Sequence, residues 1–348
     1  MTDSKIFHLG FLRFVFASIF CINIFGINVI NASQTNTSKN LTEVAQKIAD
    51  MFYALNGEPN NPHKKINHTK GFCASGEFIP NQKVAKDFAI PFLHSSKIQV
   101  KARFSLGGSE QSDKSKSRAM ALKMQSENSD FWEIAMTNSR VNFAKNTDEF
   151  MQFLSINLEQ KQGQITPQEA AKKRESVSSF VNFAREIGHL GVSPSFADSA
   201  YHSVHTFFFT KSSDELVPAR FSFVPKNGVK NLSPKELENL SDDFLESSFK
   251  KQLKSGAIKF ALVLEVARQE DSSLEDTTSV WAHIDSNGEK ISREHITLGE
   301  LRLDSFSGYE CNEEVFMPSI LPSGVLPPKD EIFDVRSMVY AITFGRRQ

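Results

Sequence analysis

The segment DEIFDVRSMVYAITFGRR, from Asp330 to Arg347, is the most informative part of the chain because it predicts a closing helix with a polar pair on one face. Arg336 and Tyr340 are four residues apart, and side chains at that spacing stack on the same side of an α-helix. The guanidinium can therefore donate hydrogen bonds to the phenolic oxygen. A tyrosine loses its proton near pH 10, but a fixed positive neighbour and a bound ferric iron both favour the anion. The segment predicts a phenolate ligand for a haem iron, although such a pair taken alone is also typical of surface packing.

Composition excludes one class of partner and leaves room for a large core. The chain has 348 residues, enough for one large domain or two ordinary ones. Phenylalanine is abundant, with 31 residues, which favours a thick apolar interior or a flat pocket lined by aromatic rings. The formal net charge is −1, so the chain lacks the basic field that nucleic-acid binding requires.

The first 32 residues have the pattern of a secretory signal peptide. Lys5 and Arg13 precede an apolar run from Phe14 to Ile30, and small polar residues follow it. This pattern predicts export to the periplasm. Because Ile30 is larger than the residue usually found two positions before a cleavage site, an uncleaved membrane anchor is the alternative. If the leader is removed, we expect no stable association with the membrane.

Two cysteines, Cys73 and Cys311, remain after the leader. They can form a disulfide in an oxidising compartment, or they can be two separately buried thiols. The sequence pattern is compatible with both.

Residues 33–60 are predicted as a linker and an amphipathic helix, near Thr42 to Leu55, and residues 61–348 as the main domain. Helices are also predicted from Thr147, from Thr166, at Ser233 and over the closing segment. Eight segments have strand-like patterns, at residues 71–79, 98–106, 118–125, 131–138, 204–210, 219–224, 257–267 and 295–303. Because strands and helices do not alternate regularly, we predict an α+β fold: an antiparallel eight-stranded β-barrel with helical insertions and a C-terminal helix.

His68 stands at the entrance of the first predicted strand, where a histidine is most often structural. Above a haem, it would instead relay a proton between the two oxygens of a peroxide. That role requires its other ring nitrogen to be fixed. Ser105, at the end of the second strand, can supply the hydrogen bond if the two strands are neighbours.

Several segments resemble, in the same order, the haem-pocket motifs of the haem catalase superfamily, most closely its catalase-related peroxidase branch. The likeness extends over residues 61–347. The segments are Asn67 to Gly71, Arg103 to Ser105, Tyr201 with His205 to Phe207, and Asp330 through Arg336 to Tyr340.

The resemblance implies a catalase-like barrel that binds haem b, with Tyr340 as the iron ligand on the proximal side and Arg336 polarising it. It makes His68 the distal acid and base, with Ser105 as its partner. It further implies a set of cofactor-binding residues. These are Lys65, Arg103 and Arg347 for the haem propionates, Phe150 and Phe153 against the ring, and His205 and Asp330 behind Arg336.

Two departures from the family pattern affect the expected chemistry. Lys65 replaces an arginine, so it offers charge without a bidentate fork. Where catalases place an asparagine that holds peroxide, an ungapped alignment puts Thr137, with Asn138 next. Neighbouring residues of a strand point to opposite faces, so both cannot fill the role without a bulge.

From this resemblance we predict an exported haem peroxidase that reduces hydrogen peroxide or organic hydroperoxides with a small organic donor and has weak catalase activity at most. The chain lacks the long arm, wrapping segment and helical domain of large catalases, so an accessible haem edge and a monomer or small homo-oligomer are expected. The alternatives are a haem enzyme that rearranges fatty-acid hydroperoxides, a haem-binding protein with little turnover, and a structural barrel without haem.

Overall fold

The computed structural model describes residues 40–271, 273–285 and 287–348, and the segment from Asn40 to Gln348 forms one unit. The predicted signal peptide, residues 1–32, lies outside the described residues. Among them are ten strands: β1 (Gly71–Pro80), β2 (Ile98–Leu106), β3 (Arg118–Ser126), β4 (Phe131–Thr137), β5 (Tyr201–His202), β6 (Phe207–Thr210), β7 (Leu216–Pro225), β8 (Ile258–Val266), β9 (His295–Phe306) and β10 (Val325–Leu326).

The strands confirm the predicted antiparallel barrel. Eight of the strands that the structure describes form a closed ring in the order β7-β5-β4-β3-β2-β1-β9-β8, and β8 pairs with β7 to close it. β6 extends the ring by pairing with β7, and β10 pairs with β6. Closure leaves no free edge in the ring itself.

Only the second part of the predicted strand over residues 204–210 forms a strand, and the short strand β5 that precedes it was not predicted. β5 ends at His202 and β6 begins at Phe207. Val204, between these two strands, has φ 50°, a left-handed conformation that a β-branched residue rarely adopts. In the structure β6 pairs with β7, and β5 pairs with β4 and with β7.

The helices of the described residues are α1 (Leu41–Asn56), α2 (Gln82–Ala85), α3 (Thr147–Lys161), α4 (Pro167–Glu175), α5 (Ser178–His189), α6 (Pro234–Glu238), α7 (Phe244–Lys254) and α8 (Glu331–Gly345). Capping boxes at Thr166 and Ser233 start α4 and α6 as predicted. The sequence analysis missed α5 and α7, because each begins without a hydrogen bond from a capping side chain.

The two largest apolar clusters of the described residues lie inside the barrel and between the helices. Inward-facing residues of the strands fill the barrel, for example Phe104, Leu122 and Ile134. A second cluster joins α1, α3 and α8 through residues such as Ile48, Leu154 and Val335. The outer face of β2, β3 and β4 lies opposite these helices. No helix of the described residues is both long enough and apolar enough to cross a bilayer.

Cys73 and Cys311 form a disulfide, with their Cα atoms 5.9 Å apart. The bond joins β1 to the loop after β9, two regions that are 238 residues apart in sequence. Phe316 packs with both cysteines in a small buried cluster. Of the two interpretations that the sequence left open, the structure contains the cross-link.

Candidate active site

A cavity of about 660 Å³ lies between the outer face of the barrel and the helices α1, α3 and α8. Its volume falls in the range of about 300–1,000 Å³ typical of cofactor pockets. Every sequence-predicted site residue except Asp330 lines this cavity: Lys65, His68, Arg103, Ser105, Thr137, Asn138, Phe150, Phe153, His205, Arg336, Tyr340 and Arg347. Asp330 is buried behind His205.

Tyr340 and Arg336 lie on one face of α8, as their spacing predicts. Arg336 donates two hydrogen bonds to the Tyr340 hydroxyl oxygen, from Nε at 3.1 Å and from Nη2 at 3.0 Å. Nη2 also donates to the carbonyl of Ala135 on β4, at 3.0 Å. The phenolic oxygen is therefore an acceptor of two hydrogen bonds at the cavity wall. An oxygen used in this way suits a hard, anionic ligand.

His205 and Asp330 form a buried pair that anchors the start of α8. The two approach to 2.9 Å between Nδ1 and Oδ2. The other carboxylate oxygen of Asp330 accepts the backbone N–H of Phe333 at 2.8 Å and caps the helix. Burial lowers the pKa of His205, and its bond to Asp330 opposes that shift. A neutral His205 thus donates from Nδ1, because a carboxylate can only accept.

The predicted link between His205 and Arg336 is not a direct hydrogen bond within the described part of the chain. Both residues instead border a second, small cavity of about 10 Å³, together with Ser203 and Trp132. This volume is close to what one water molecule requires.

His68 faces the cavity from the loop that precedes β1. Its Nδ1 lies 2.9 Å from the carbonyl oxygen of Leu106 and 3.4 Å from the hydroxyl of Ser105. Since a carbonyl only accepts, Nδ1 carries the proton, and Nε2 keeps its lone pair. Burial, followed by the charge of Arg103, lowers the pKa of His68 to about 4. His68 is therefore a neutral base at ordinary pH.

The backbone at His68 is unusual, with φ 56°. Left-handed residues of this kind cost on the order of 1 kcal/mol and concentrate at functional sites. Arg103 holds the turn by donating from Nη2 to the His68 carbonyl at 2.6 Å. Gly71 is required beside it, because a Cβ there would lie 2.3 Å from the carbonyl oxygen of Phe104.

Thr137 and Asn138 have different positions, and only one of them keeps a free polar group. Asn138 accepts from the backbone N–H of Arg118 at 2.9 Å and donates to the carbonyl of Lys116, also at 2.9 Å. Its amide thus holds the start of β3. Thr137 shares the outer face of β4 with Ala135, and its hydroxyl makes no hydrogen bond to any other described residue. Of the two predicted candidates, Thr137 is available to a ligand.

The walls of the cavity suit a flat apolar group. On one side, Phe143 packs against Phe150 and Phe153, with ring centroids 4.6 Å and 4.4 Å apart. The sequence analysis missed Phe143, because it lies in a loop without periodic pattern. On the barrel side, small residues at outward positions of β3 and β4 leave space. These are Ala119, Ala121 and Ala135.

Lys65, Arg103 and Arg347 gather at one edge of the cavity. Burial and the charges of Arg103 and Arg347 lower the pKa of Lys65 to about 7. Burial and Arg347 lower that of Arg103 to about 10. The charge of Glu313 partly opposes these shifts, but no carboxylate of the described residues forms an ion pair with any of the three, so the edge suits a bound anion.

Helix α1 also contributes to the cavity through Ile48, Phe52 and Leu55, so the wall includes residues before position 61. Taken together, the residues fit a haem. The phenolic oxygen of Tyr340 is a hard donor for ferric iron, the aromatic and alanine walls match a flat macrocycle, and the three cations match two carboxylates.

Comparisons with known proteins agree with this arrangement. A family model described as Catalase matches residues 58–348. A catalase-related peroxidase of Synechococcus elongatus is 26% identical over 294 residues, which cover 82% of this chain and 84% of that protein. Another, of Mycolicibacterium paratuberculosis, is 22% identical over 80% of this chain and 88% of its own length.

Solved structures show the same fold. The chain superposes on a fungal catalase with a TM-score of 0.67 at 17% identity, covering 82% of this chain and 59% of the catalase. Catalase A from Saccharomyces cerevisiae gives a TM-score of 0.63 at 16% identity, over 82% of this chain and 61% of that protein.

Proposed function

The chain belongs to the catalase family, and we propose that within it this protein is a haem b-dependent peroxidase that reduces hydrogen peroxide or organic hydroperoxides with a small organic donor. Its relatives make it a haem oxidoreductase of the peroxidase or catalase type. The main support for a haem b-dependent peroxidase is that the Tyr340 phenol, hydrogen-bonded by Arg336, and the neutral imidazole of His68 line one cavity.

Haem, when bound, supplies the iron at which the O–O bond of a peroxide is cleaved. Tyr340 would hold that iron, and Arg336 keeps the phenolic oxygen in place with two hydrogen bonds. Lys65, Arg103 and Arg347 would bind the propionates, and Phe143 with Phe150 and Phe153 would cover the ring.

His68 performs the proton transfer in this proposal. Its Nε2 accepts the proton of the incoming peroxide and returns it to the departing oxygen, which leaves as water or an alcohol. The Leu106 carbonyl keeps the proton on Nδ1, so that Nε2 faces the reaction as a base. The free hydroxyl of Thr137 would donate one hydrogen bond to the peroxide.

Two observations favour peroxidase over catalase action. The relatives that align with most of their own length are named catalase-related peroxidases. Thr137 also offers one rotating hydroxyl where an amide would hold peroxide with two fixed donors. A weaker hold on the second peroxide favours an organic donor as reductant, so we expect weak catalase activity at most.

We further propose that the protein is exported to the periplasm after removal of residues 1–32. The pattern of the leader supports this, and so does the Cys73–Cys311 disulfide, because structural disulfides persist in oxidising compartments. A mass spectrum of the mature protein from the periplasmic fraction tests it. Recovery of the intact leader in the cytoplasm would contradict it.

Rearrangement of a fatty-acid hydroperoxide is a second candidate, which the aromatic wall around Phe143 favours. A panel of hydrogen peroxide, an alkyl hydroperoxide and a lipid hydroperoxide, each with and without a dye donor, separates the two. A peroxidase consumes the donor in proportion to the peroxide, whereas a rearranging enzyme consumes the lipid hydroperoxide without a donor.

An absorption spectrum of the purified protein with pyridine haemochrome quantification tests the proposal directly. We expect one haem b per chain and steady-state oxidation of a dye donor by peroxide. Haem without turnover would identify a binding protein, and absence of haem would refute the proposal.

A further inference from the structure

Asn312, in the loop after β9, contacts all three cations at the cavity edge. Its Oδ1 accepts from Arg103 Nε at 2.7 Å. Its backbone carbonyl accepts from Lys65 Nζ at 2.9 Å and from Arg347 Nη1 at 3.4 Å. One neutral residue thus gathers three positive groups from separate parts of the chain. Nothing in the sequence singled it out, because an asparagine in a loop has no pattern.

The three cations repel one another, so their positions must be imposed by the chain. Among the described residues no carboxylate forms an ion pair with them, although the charge of Glu313 raises the pKa of each. Arg103 and Arg347 lower the pKa of Lys65, and Arg347 lowers that of Arg103. The acceptors that hold them are neutral: the two oxygens of Asn312 and the carbonyl of Glu314, which accepts from Lys65 at 2.6 Å. Neutral acceptors orient the cations without forming ion pairs, which leaves a net positive charge at this edge for an anion.

The position of Asn312 is fixed by two attachments to β1. Its Nδ2 donates to the carbonyl of Gly71 at 3.1 Å. The residue before it, Cys311, is disulfide-bonded to Cys73, and its N–H donates to Cys73 Sγ at 3.0 Å. β1 pairs with β2, the strand that carries Arg103. The disulfide therefore sets Asn312 in register with the guanidinium that it holds.

We propose that Asn312, held by the Cys73–Cys311 disulfide, is a positioning residue that directs Lys65, Arg103 and Arg347 at the carboxylates of the porphyrin, and that the cross-link thereby sets how long the protein retains haem. This inference rests on the proposed function. Asn312 itself does not line the cavity.

The test compares two cofactors that differ only in charge. Wild type, Asn312→Ala and the double variant Cys73→Ser with Cys311→Ser are each loaded with haemin or with haemin dimethyl ester, whose propionates are uncharged. The rate of cofactor transfer to excess apo-globin is then measured. Loss of haemin should be about tenfold faster in Asn312→Ala, the size expected for a hydrogen bond to a charged group. The double variant should be faster by several-fold.

The rates for the ester should change by less than about twofold, since it has no carboxylate for the cations to hold. Asn81→Ala is the matched control. Asn81 also bonds to backbone groups, accepting from Lys83 N at 3.2 Å and donating to the Thr297 carbonyl at 3.2 Å, and it does not line the cavity. It should change neither rate.

Equal acceleration for haemin and ester would mean that Asn312 is only structural and would overturn the inference. An unchanged rate of haemin loss in Asn312→Ala would also overturn the inference, even if the wild-type protein binds haem and turns over peroxide. If the cysteine variant fails to fold, the haemin and ester rates of Asn312→Ala decide alone. A wild-type protein that does not retain haemin defeats the proposed function and this inference with it.

Discussion

The two sides of the cavity differ in how completely their polar groups are used. On the α8 side, the Tyr340 oxygen accepts two hydrogen bonds from Arg336, which is itself tied to β4 through the Ala135 carbonyl. On the opposite side, His68 uses only Nδ1, and the Thr137 hydroxyl has no partner within residues 40–271, 273–285 and 287–348. The polar groups of the α8 side are held by bonds within the protein, whereas the opposite side keeps hydrogen-bonding capacity for a reagent.

The backbone shows the same contrast. Tyr340 lies in the interior of a regular helix whose start is capped by Asp330. His68 lies in a left-handed turn that Arg103 holds through its carbonyl. Under the proposed function, a regular helix suits a ligand that must stay in place, and the turn would direct an imidazole that exchanges protons. The proximal side should therefore govern retention of the cofactor, and the distal side should govern the rate.

The largest effect is expected from His68→Ala. Loss of a positioned general base should slow the reaction with peroxide by about 10²–10⁴-fold, while haem content stays near wild type. Stopped-flow absorption with hydrogen peroxide measures it. His94→Ala is the control, since His94 contacts the Phe88 carbonyl at 3.1 Å and does not line the cavity. Equal peroxide rates in His68→Ala and wild type would rule out the relay.

Tyr340→Phe should act on retention instead. Mutation of a residue that only hydrogen-bonds to a metal ligand lowers metal affinity by roughly 10–100-fold, so loss of the ligand oxygen itself should lower haem affinity by more than that. It should also alter the absorption spectrum of any haem that remains. Tyr53→Phe is the control, because that phenol donates to the Thr343 carbonyl at 3.3 Å outside the cavity. A Tyr340→Phe protein with wild-type spectrum and haem content would contradict the ligand assignment.

Thr137→Val should have a small effect on the distal side alone. Loss of one neutral hydrogen bond to peroxide corresponds to about 2–10-fold in kcat/KM for peroxide, with haem retention unchanged. Thr137→Asn offers the complementary variant, and it should raise the ratio of catalase to peroxidase activity. Steady-state oxygen release and dye oxidation measure the two. No change in either variant would remove Thr137 from the site.

The smallest expected effect is that of pH. The base must be neutral, and the pKa of His68 is lowered to about 4, so it stays neutral as pH falls from 8 to 5.5. The peroxide rate should change by less than about twofold over that range and fall only as pH drops through 4. An imidazole with the ordinary pKa near 6.5 would lose about tenfold by pH 5.5. A rate that halves near pH 6.5 would show that His68 is not buried as described.

Much of the barrel was predictable because strand patterns are local. The segments at residues 71–79, 98–106 and 118–125 match β1, β2 and β3 to within one residue. The two-residue strand β5 and the late start of β6 were not predicted. The segment between them contains Val204 with φ 50°, a backbone conformation that no residue pattern indicates. The uncapped helices α5 and α7 were missed for a similar reason: a local signal was lacking.

In the site, residues with a chemically distinctive side chain at a recognisable spacing were predictable, whereas loop residues such as Phe143 and groups that act through backbone carbonyls were not. His68, Arg336 and Tyr340 were identified by type, spacing and order. The carbonyl of Leu106 orients His68, and the loop residue Asn312 holds Arg103, yet no sequence pattern marks either position. A backbone carbonyl has the same chemistry at every position, so only its place in the fold gives it a role.

By itself, the sequence determined the eight strand patterns, the Arg336–Tyr340 face and the membership of a haem-binding family, because each depends on residue type and short spacing. Only the tertiary structure decided which of Thr137 and Asn138 keeps a free polar group, that Cys73 joins Cys311, and that three cations meet around Asn312. These outcomes depend on contacts between residues that are distant in sequence. Closure of the barrel brings such residues together, and local sequence patterns do not predict those contacts.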